Sequence, residues 1–212
     1  SEMVIATTGN YLSQRENEVR TIIDISPDKK TLTFDKPLQF THLSEKRTVN
    51  DGNGNTYDLN IQAEVGLLTR NVVFQGTNDP TWSSLRSAPA CPSGFNPNQF
   101  AAQTCFLGRY GPEIGTDQFG AHIMASIDPI APSTGEVAIM RLSNVEFYHV
   151  GQAYRLNRYP INFQSIGDSP SSFVKECAIH QSFNRAVNIR GSNNINIERN
   201  VIYDIMGAAY FL

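Results

Sequence analysis

Apolar residues recur in short alternating groups along the last third of the chain. Val174, Cys177 and Ile179 are matched 23 residues later by Ile197, Asn200 and Ile202. Val187 and Ile189 are matched at the same offset by Tyr210 and Leu212. Two strand-like groups that repeat together at a period in the twenties predict a solenoid, in which one turn cannot bury its own apolar face. Upstream, Leu142, Val145 and Phe147 fit the same signature, as do Leu68, Asn71 and Val73. Arg70-Asn71-Val72-Val73-Phe74 nearly copies Arg199-Asn200-Val201-Ile202-Tyr203, and Ile161 and Phe163 take the places of Val187 and Ile189. The groups are β-branched or aromatic and are separated by Gly, Asn, Ser and Pro, which makes them strands. The expected fold is all-β: a right-handed parallel β-helix with turns stacked at about 4.8 Å.

The third position of the signature is Asn71, Val145, Cys177 and Asn200. An inward Asn is costly unless its amide is hydrogen-bonded. Stacked turns can supply the partner as a side-chain ladder. The competing reading, Asn as an ordinary turn former, stays open at any one position.

Ahead of the stack, residues 1–43 look like alternating strands around 3–6, 19–25 and 31–34. Glu16, Glu18 and Arg20 read as a solvated strand face. Asn50-Asp51-Gly52-Asn53-Gly54-Asn55 spaces oxygen ligands like the start of a calcium loop. The downstream acidic ligand is missing, because position 62 is Gln, and a hairpin tip is the better reading. The expected organisation is an N-terminal β segment over 1–60 and parallel repeats over 61–212. A long insertion at about 77–118 interrupts the repeats; such loops usually cover or serve a site.

Composition narrows the class. Charged residues make up 17% and the net charge is −3. There is no basic run, so no nucleic-acid footprint is expected. No apolar run approaches the roughly 20 residues needed to cross a bilayer. Ser1 is not an initiator Met and the last residues form an apolar strand, so the chain reads as part of something longer. Of three cysteines, Cys91 and Cys105 bracket a loop of turn formers. Closing it by a disulfide would stabilise by about 3 kcal/mol in the chain-entropy picture. Metal binding there is the weaker reading, since no His or second Cys pair is near. A disulfide implies an extracytoplasmic setting. Cys177 is expected to be a buried thiol.

The order of words in the stacking region carries a resemblance: E-V-G-L-L-T-R-N, F-G-A-H-I, H-V-G-Q at 149–152, R-Y-P-I-N-F-Q and G-S-N-N, preceded by V-I-A-T-T-G-N-Y-L-S-Q-R-E-N-E. It resembles the family of fibrocystin-L and the cell-migration-inducing hyaluronidases. In that family the end of an eight-glycine domain precedes a β-helix. The resemblance implies a secreted or membrane-anchored surface protein. One branch depolymerises hyaluronan; the other contributes to surface coats, including those on cilia. Calcium is the cofactor the resemblance allows; otherwise none is expected, and no metal site.

This chain departs from the hyaluronidase-like pattern where proton chemistry would sit. Histidines of that pattern are replaced by Asn162, Gln164, Gln181, Arg190 and Ala208. Histidine is the side chain that exchanges protons near neutrality, and amides cannot stand in for it. His122 and His180 persist. Asp168, Glu176, Glu198 and Asp204 form no recognisable pair for hydrolysis. The reading is a structural module of a large cell-surface protein, with no catalytic residue assigned. Its expected partners are other segments of the same long chain, neighbouring copies, or glycans. One alternative is an extracellular polysaccharide depolymerase. Another is a non-catalytic glycan binder using Asn162, Gln164, His180, Asn188 and Arg190.

Overall fold

The structure is a computed structural model and describes residues 1–13, 16–76, 120–127, 137–152 and 156–212. Among these, every regular element is a strand. The chain divides into two compact units, Ser1–Thr69 and Arg70–Leu212. Cys91, Cys105 and the 77–118 insertion lie outside the described residues.

The first unit is antiparallel. Strand β1 (Glu2–Ile5) lies between β2 (Glu18–Ile25) and β6 (Val65–Leu67), and β3 (Leu32–Phe34) extends the sheet beyond β2. Strands β4 (Ser44–Asn50) and β5 (Thr56–Gln62) form a separate hairpin with Asn50 opposite Thr56. The tip therefore falls on the Asn/Asp/Gly run, whose side chains close turns locally. Glu18 is not on a solvated face. It is buried, and it gathers the N–H groups of Gln39 and Phe40, Nε2 of His42 and the Arg20 guanidinium. Burial alone would raise its pKa, but these donors together hold it at about 2.

The second unit is parallel. Its strands are β7 (Val72–Gln75), β8 (Ile123–Ser126), β9 (Arg141–Ser143), β10 (Val145–Tyr148), β11 (Ile161–Asp168), β12 (Phe173–Lys175), β13 (Ala178–Ser182), β14 (Val187–Asn193), β15 (Asn196–Glu198), β16 (Val201–Ile205) and β17 (Tyr210–Phe211). They fall into three sheets, ordered β16-β13-β10-β7, β17-β14-β11-β8 and β15-β12-β9. Val174 pairs with Ile197, Ile179 with Ile202 and Ile161 with Val187, as the repeat predicts. Phe147, Ile161, Phe163, Val174, Cys177, Ile179 and Val187 are all fully buried in one cluster.

Left-handed residues recur at matching places around the strands of one parallel sheet. Asn144, Glu176 and Arg199 have φ of 61°, 56° and 53° just before β10, β13 and β16. His149, Gln181 and Asp204 repeat the device at 52°, 44° and 49° on the far side. Only small local penalties attach to such residues singly, and parallel pairing on both sides holds them in place.

The first coil departs from the expected phase. Phe74, not Val73, lies opposite Phe147, and Val73 is exposed. The Phe74 and Phe147 rings meet at a centroid distance of 5.6 Å, so the larger ring takes the inward place. Asn71 is consequently exposed, with no side-chain ladder among the described residues. Asn200 serves the backbone instead: its Oδ1 accepts from Cys177 N–H at 2.9 Å and its Nδ2 donates to the Val174 carbonyl at 2.9 Å. No amide faces it across the stack, because the neighbouring position is Cys177.

Candidate functional site

Strand alternation sets the candidate site on one sheet face. Ile161 and Phe163 point into the core, so Asn162 and Gln164 belong to the opposite face of β11. Parallel register then places Asn188 beside Asn162 and Arg190 beside Gln164, with Met124 and Ser126 of β8 on the other side. Four of the five glycan-binding candidates thus share one face. The fifth, His180, lies in a different sheet, on β13.

The two rows of this face differ. Asn162 and Asn188 are buried although they face away from the core. Asn188 Nδ2 donates to Asn162 Oδ1 at 2.8 Å, and Asn162 Nδ2 donates to the Asn157 carbonyl at 3.4 Å. This is an amide ladder of the kind expected at Asn71 and Asn200, but it is built in another sheet. The second row is open. Arg190 is exposed, and Gln164 is half-buried with Nε2 donating to Ser165 Oγ at 3.1 Å. Gln164 Oε1 is buried and accepts from no donor among the described residues. Arg185, from the bend before β14, lies 3.4 Å over the Phe211 ring and stacks on it.

Asn162, Gln164 and Asn188 are amides, which exchange no protons near neutrality. Among the retained histidines, His122 precedes β8 and its Nε2 accepts from Arg158 Nη1 at 3.3 Å. Its burial, and then the Arg158 charge, lower its pKa and favour the neutral ring. His180 is buried, with Nε2 lying 3.1 Å from Glu146 Oε1. Glu146 also accepts from the Arg70 N–H at 2.9 Å, and the Tyr148 ring lies 5.1 Å from that of His180. The sequence reading missed Glu146, which sits among apolar neighbours at an outward position of β10. The signal available was its place in the coil before His180.

The carboxylates weighed from sequence do not converge. Glu176 pairs with Arg199 at 2.8 Å and Glu198 with Lys175 at 3.0 Å, both on the surface. Asp168 accepts from the Asn194 amide. Among the described residues no group of three His, Cys, Asp or Glu could hold a metal ion. Cys177 is the expected buried thiol; burial raises its pKa and its Sγ donates to the Lys175 carbonyl. Gln181 adjoins His180, and Ala208 is exposed just before β17. Chemically the face offers hydrogen-bonding groups through Gln164 and Arg190, and among the described residues that share it none is a histidine or carboxylate.

Comparison with known proteins fits this scaffold. Residues 118–212 match the family model described as CEMIP beta-helix. Fibrocystin-L of Mus musculus is 45% identical over 99% of this chain. The chain belongs to the family of fibrocystin-L and the cell-surface hyaluronidases. Fibrocystin-L of Homo sapiens is 44% identical, again over 99% of the chain. A cell surface hyaluronidase of Danio rerio is 26% identical over 99% of it. The chain spans 5% of the length of either fibrocystin-L and 13% of that hyaluronidase. No solved structure matches.

Proposed function

We propose that this chain is a structural module of a large cell-surface protein, a right-handed parallel β-helix whose side chains hold coil to coil. The observation that carries this reading is Asn162. Where the hyaluronidase-like pattern has a histidine, this chain has an amide that is fully buried and bonded to the next coil through Asn188. A group in that situation braces the stack and presents nothing to a substrate. The first unit then corresponds to the end of an eight-glycine-type domain, in keeping with relatives named as G8 domain-containing proteins. A cell-surface or extracellular setting is supported by the relatives named as cell surface hyaluronidases. The partners are other segments of the same long protein or neighbouring copies.

The test is incubation of the folded protein with size-defined hyaluronan, with and without calcium. The scaffold reading expects unchanged fragment length. Shortening that disappears in His180→Ala or Arg190→Ala would replace it with the depolymerase. A second reading, glycan binding without turnover, draws on the unpartnered Gln164 Oε1 beside exposed Arg190. It expects retention on a glycan surface, lost in Arg190→Ala, with no product.

A further inference from the structure

The β4–β5 hairpin tip contains the sequence's single Asn-Gly pair, Asn53–Gly54, and its single Asp-Gly pair, Asp51–Gly52. Both pairs are prone to succinimide chemistry, since glycine leaves the attacking nitrogen unhindered. The fold treats them differently. Gly52 N–H donates to Asn50 Oδ1 at 2.9 Å. The Asp51 carboxylate accepts from Asn53 N–H at 2.8 Å, Asn55 N–H at 3.2 Å and Asn55 Nδ2 at 2.8 Å. The Asn55 amide, and then the Asn53 N–H, lower the Asp51 pKa and keep the carboxylate ionised, the form that closes the ring least readily. Gly54 and the Asn53 side chain are exposed, and neither the Gly54 N–H nor the Asn53 side-chain amide has a partner among the described residues.

We propose that Asn53–Gly54 is a self-modifying site, a covalent timer built into the hairpin tip. The Gly54 nitrogen attacks Cγ of Asn53. A new N–Cγ bond closes the succinimide, and the Cγ–Nδ2 bond breaks to release ammonia. Water then opens the ring at either carbonyl, leaving an aspartate linked through its α-carboxyl or an isoaspartate linked through its β-carboxyl. The sum is amide plus water to acid plus ammonia, with no change of oxidation state. The product adds a negative charge beside Asp51. In the isoaspartate it also adds one backbone carbon inside a turn whose flanks, Asn50 and Thr56, are held in register. The hairpin carries exposed Val49, Tyr57 and Leu59, which share one face by their pairing, so the change reshapes the support of an apolar surface.

The experiment ages the whole folded chain for weeks at neutral pH and body temperature and maps peptides by mass spectrometry, with an isoaspartate-specific methyltransferase as the probe. Conversion at Asn53 should exceed that at every other asparagine, and Asp51 should stay intact. Asn53→Gln should abolish the methyl label on this peptide while leaving the circular dichroism unchanged. Asn50→Ala, which frees the Gly52 nitrogen, should bring on isomerisation at Asp51. An Asn53 that stays intact in the folded chain but converts in urea would overturn the proposal, because the fold would then be protecting it. Equal reaction at Asp51 and Asn53 in the folded chain would overturn it too, by removing the selectivity that the hydrogen bonds impose.

Discussion

The two units solve the same problem by different means. In Ser1–Thr69 the buried apolar residues are Val4, Ile5 and Leu68, and the most heavily bonded buried group is a carboxylate. In Arg70–Leu212 a continuous apolar cluster runs between the parallel sheets, and the buried Asn162 and Asn188 amides pair on the opposite face of β11 and β14. Antiparallel strands with little core depend on directed polar bonds, which are strong only while every partner is present. Stacked parallel coils depend on burial, which is non-directional and indifferent to protonation. The first unit should therefore respond to pH and to loss of a single charge, and the second to loss of volume.

The largest single effect should come from Glu18. Truncation to Ala leaves the Gln39 and Phe40 N–H groups and Arg20 without their acceptor and should cost the first unit about 3–5 kcal/mol, as for breaking a buried pair. Calorimetry that resolves the two units checks this; an unshifted first transition would show that the clasp does not hold the unit. The same residue gives a pH dependence. Its folded pKa lies below its ordinary value, so its stabilisation is complete above pH 4.5 and is lost as pH falls toward about 2. Hydrogen exchange at descending pH should show β1 and β2 opening before β13. Simultaneous opening would remove the distinction between the units.

In the stack, Ile179→Ala should cost about 2–5 kcal/mol, because the coils on either side cannot collapse into the space. Denaturant titration measures it, and a variant as stable as the parent would deny that Ile179 faces inward. A smaller loss, about 1–3 kcal/mol, is expected for Asn162→Ala, which orphans the buried Asn188 amide. Smallest of all, Lys175→Ala removes a half-exposed ion pair with Glu198 and should leave stability nearly unchanged. A larger loss there would mean that surface pairs, not burial, bind the coils.

Much of the stack was legible because side chains in parallel register repeat at one offset: Val174 with Ile197, Ile179 with Ile202, Ile161 with Val187. The hairpin tip was legible because Asn, Asp and Gly encode turns locally. The phase of the first coil was not. Arg70 to Phe74 copies Arg199 to Tyr203 in letters, yet sits one residue out of step, and a one-residue shift exchanges the two faces of a strand. The left-handed bends were equally hidden, since Asn144, Glu176 and Arg199 share no chemistry and only their place between paired strands defines them. For the site, the sequence grouped Asn162, Gln164, Asn188 and Arg190 with His180, whereas parallel register sets the first four on one face and His180 in another sheet. Spacing could not tell which row would be covered, because the group over Asn162 is the carbonyl of Asn157, from a bend outside the repeat. Glu18 was misread for the same kind of reason: its partners Gln39, Phe40 and His42 lie in a loop with no periodicity.

The most direct test of the account is site-resolved hydrogen exchange in Asn162→Ala. If the amide at the replaced histidine position braces the stack, protection should fall in β11 and β14 together and stay unchanged in β4 and β5. Protection in β11 and β14 equal to that of the parent would contradict the account. It would mean that Asn162 and Asn188 are free to serve a ligand.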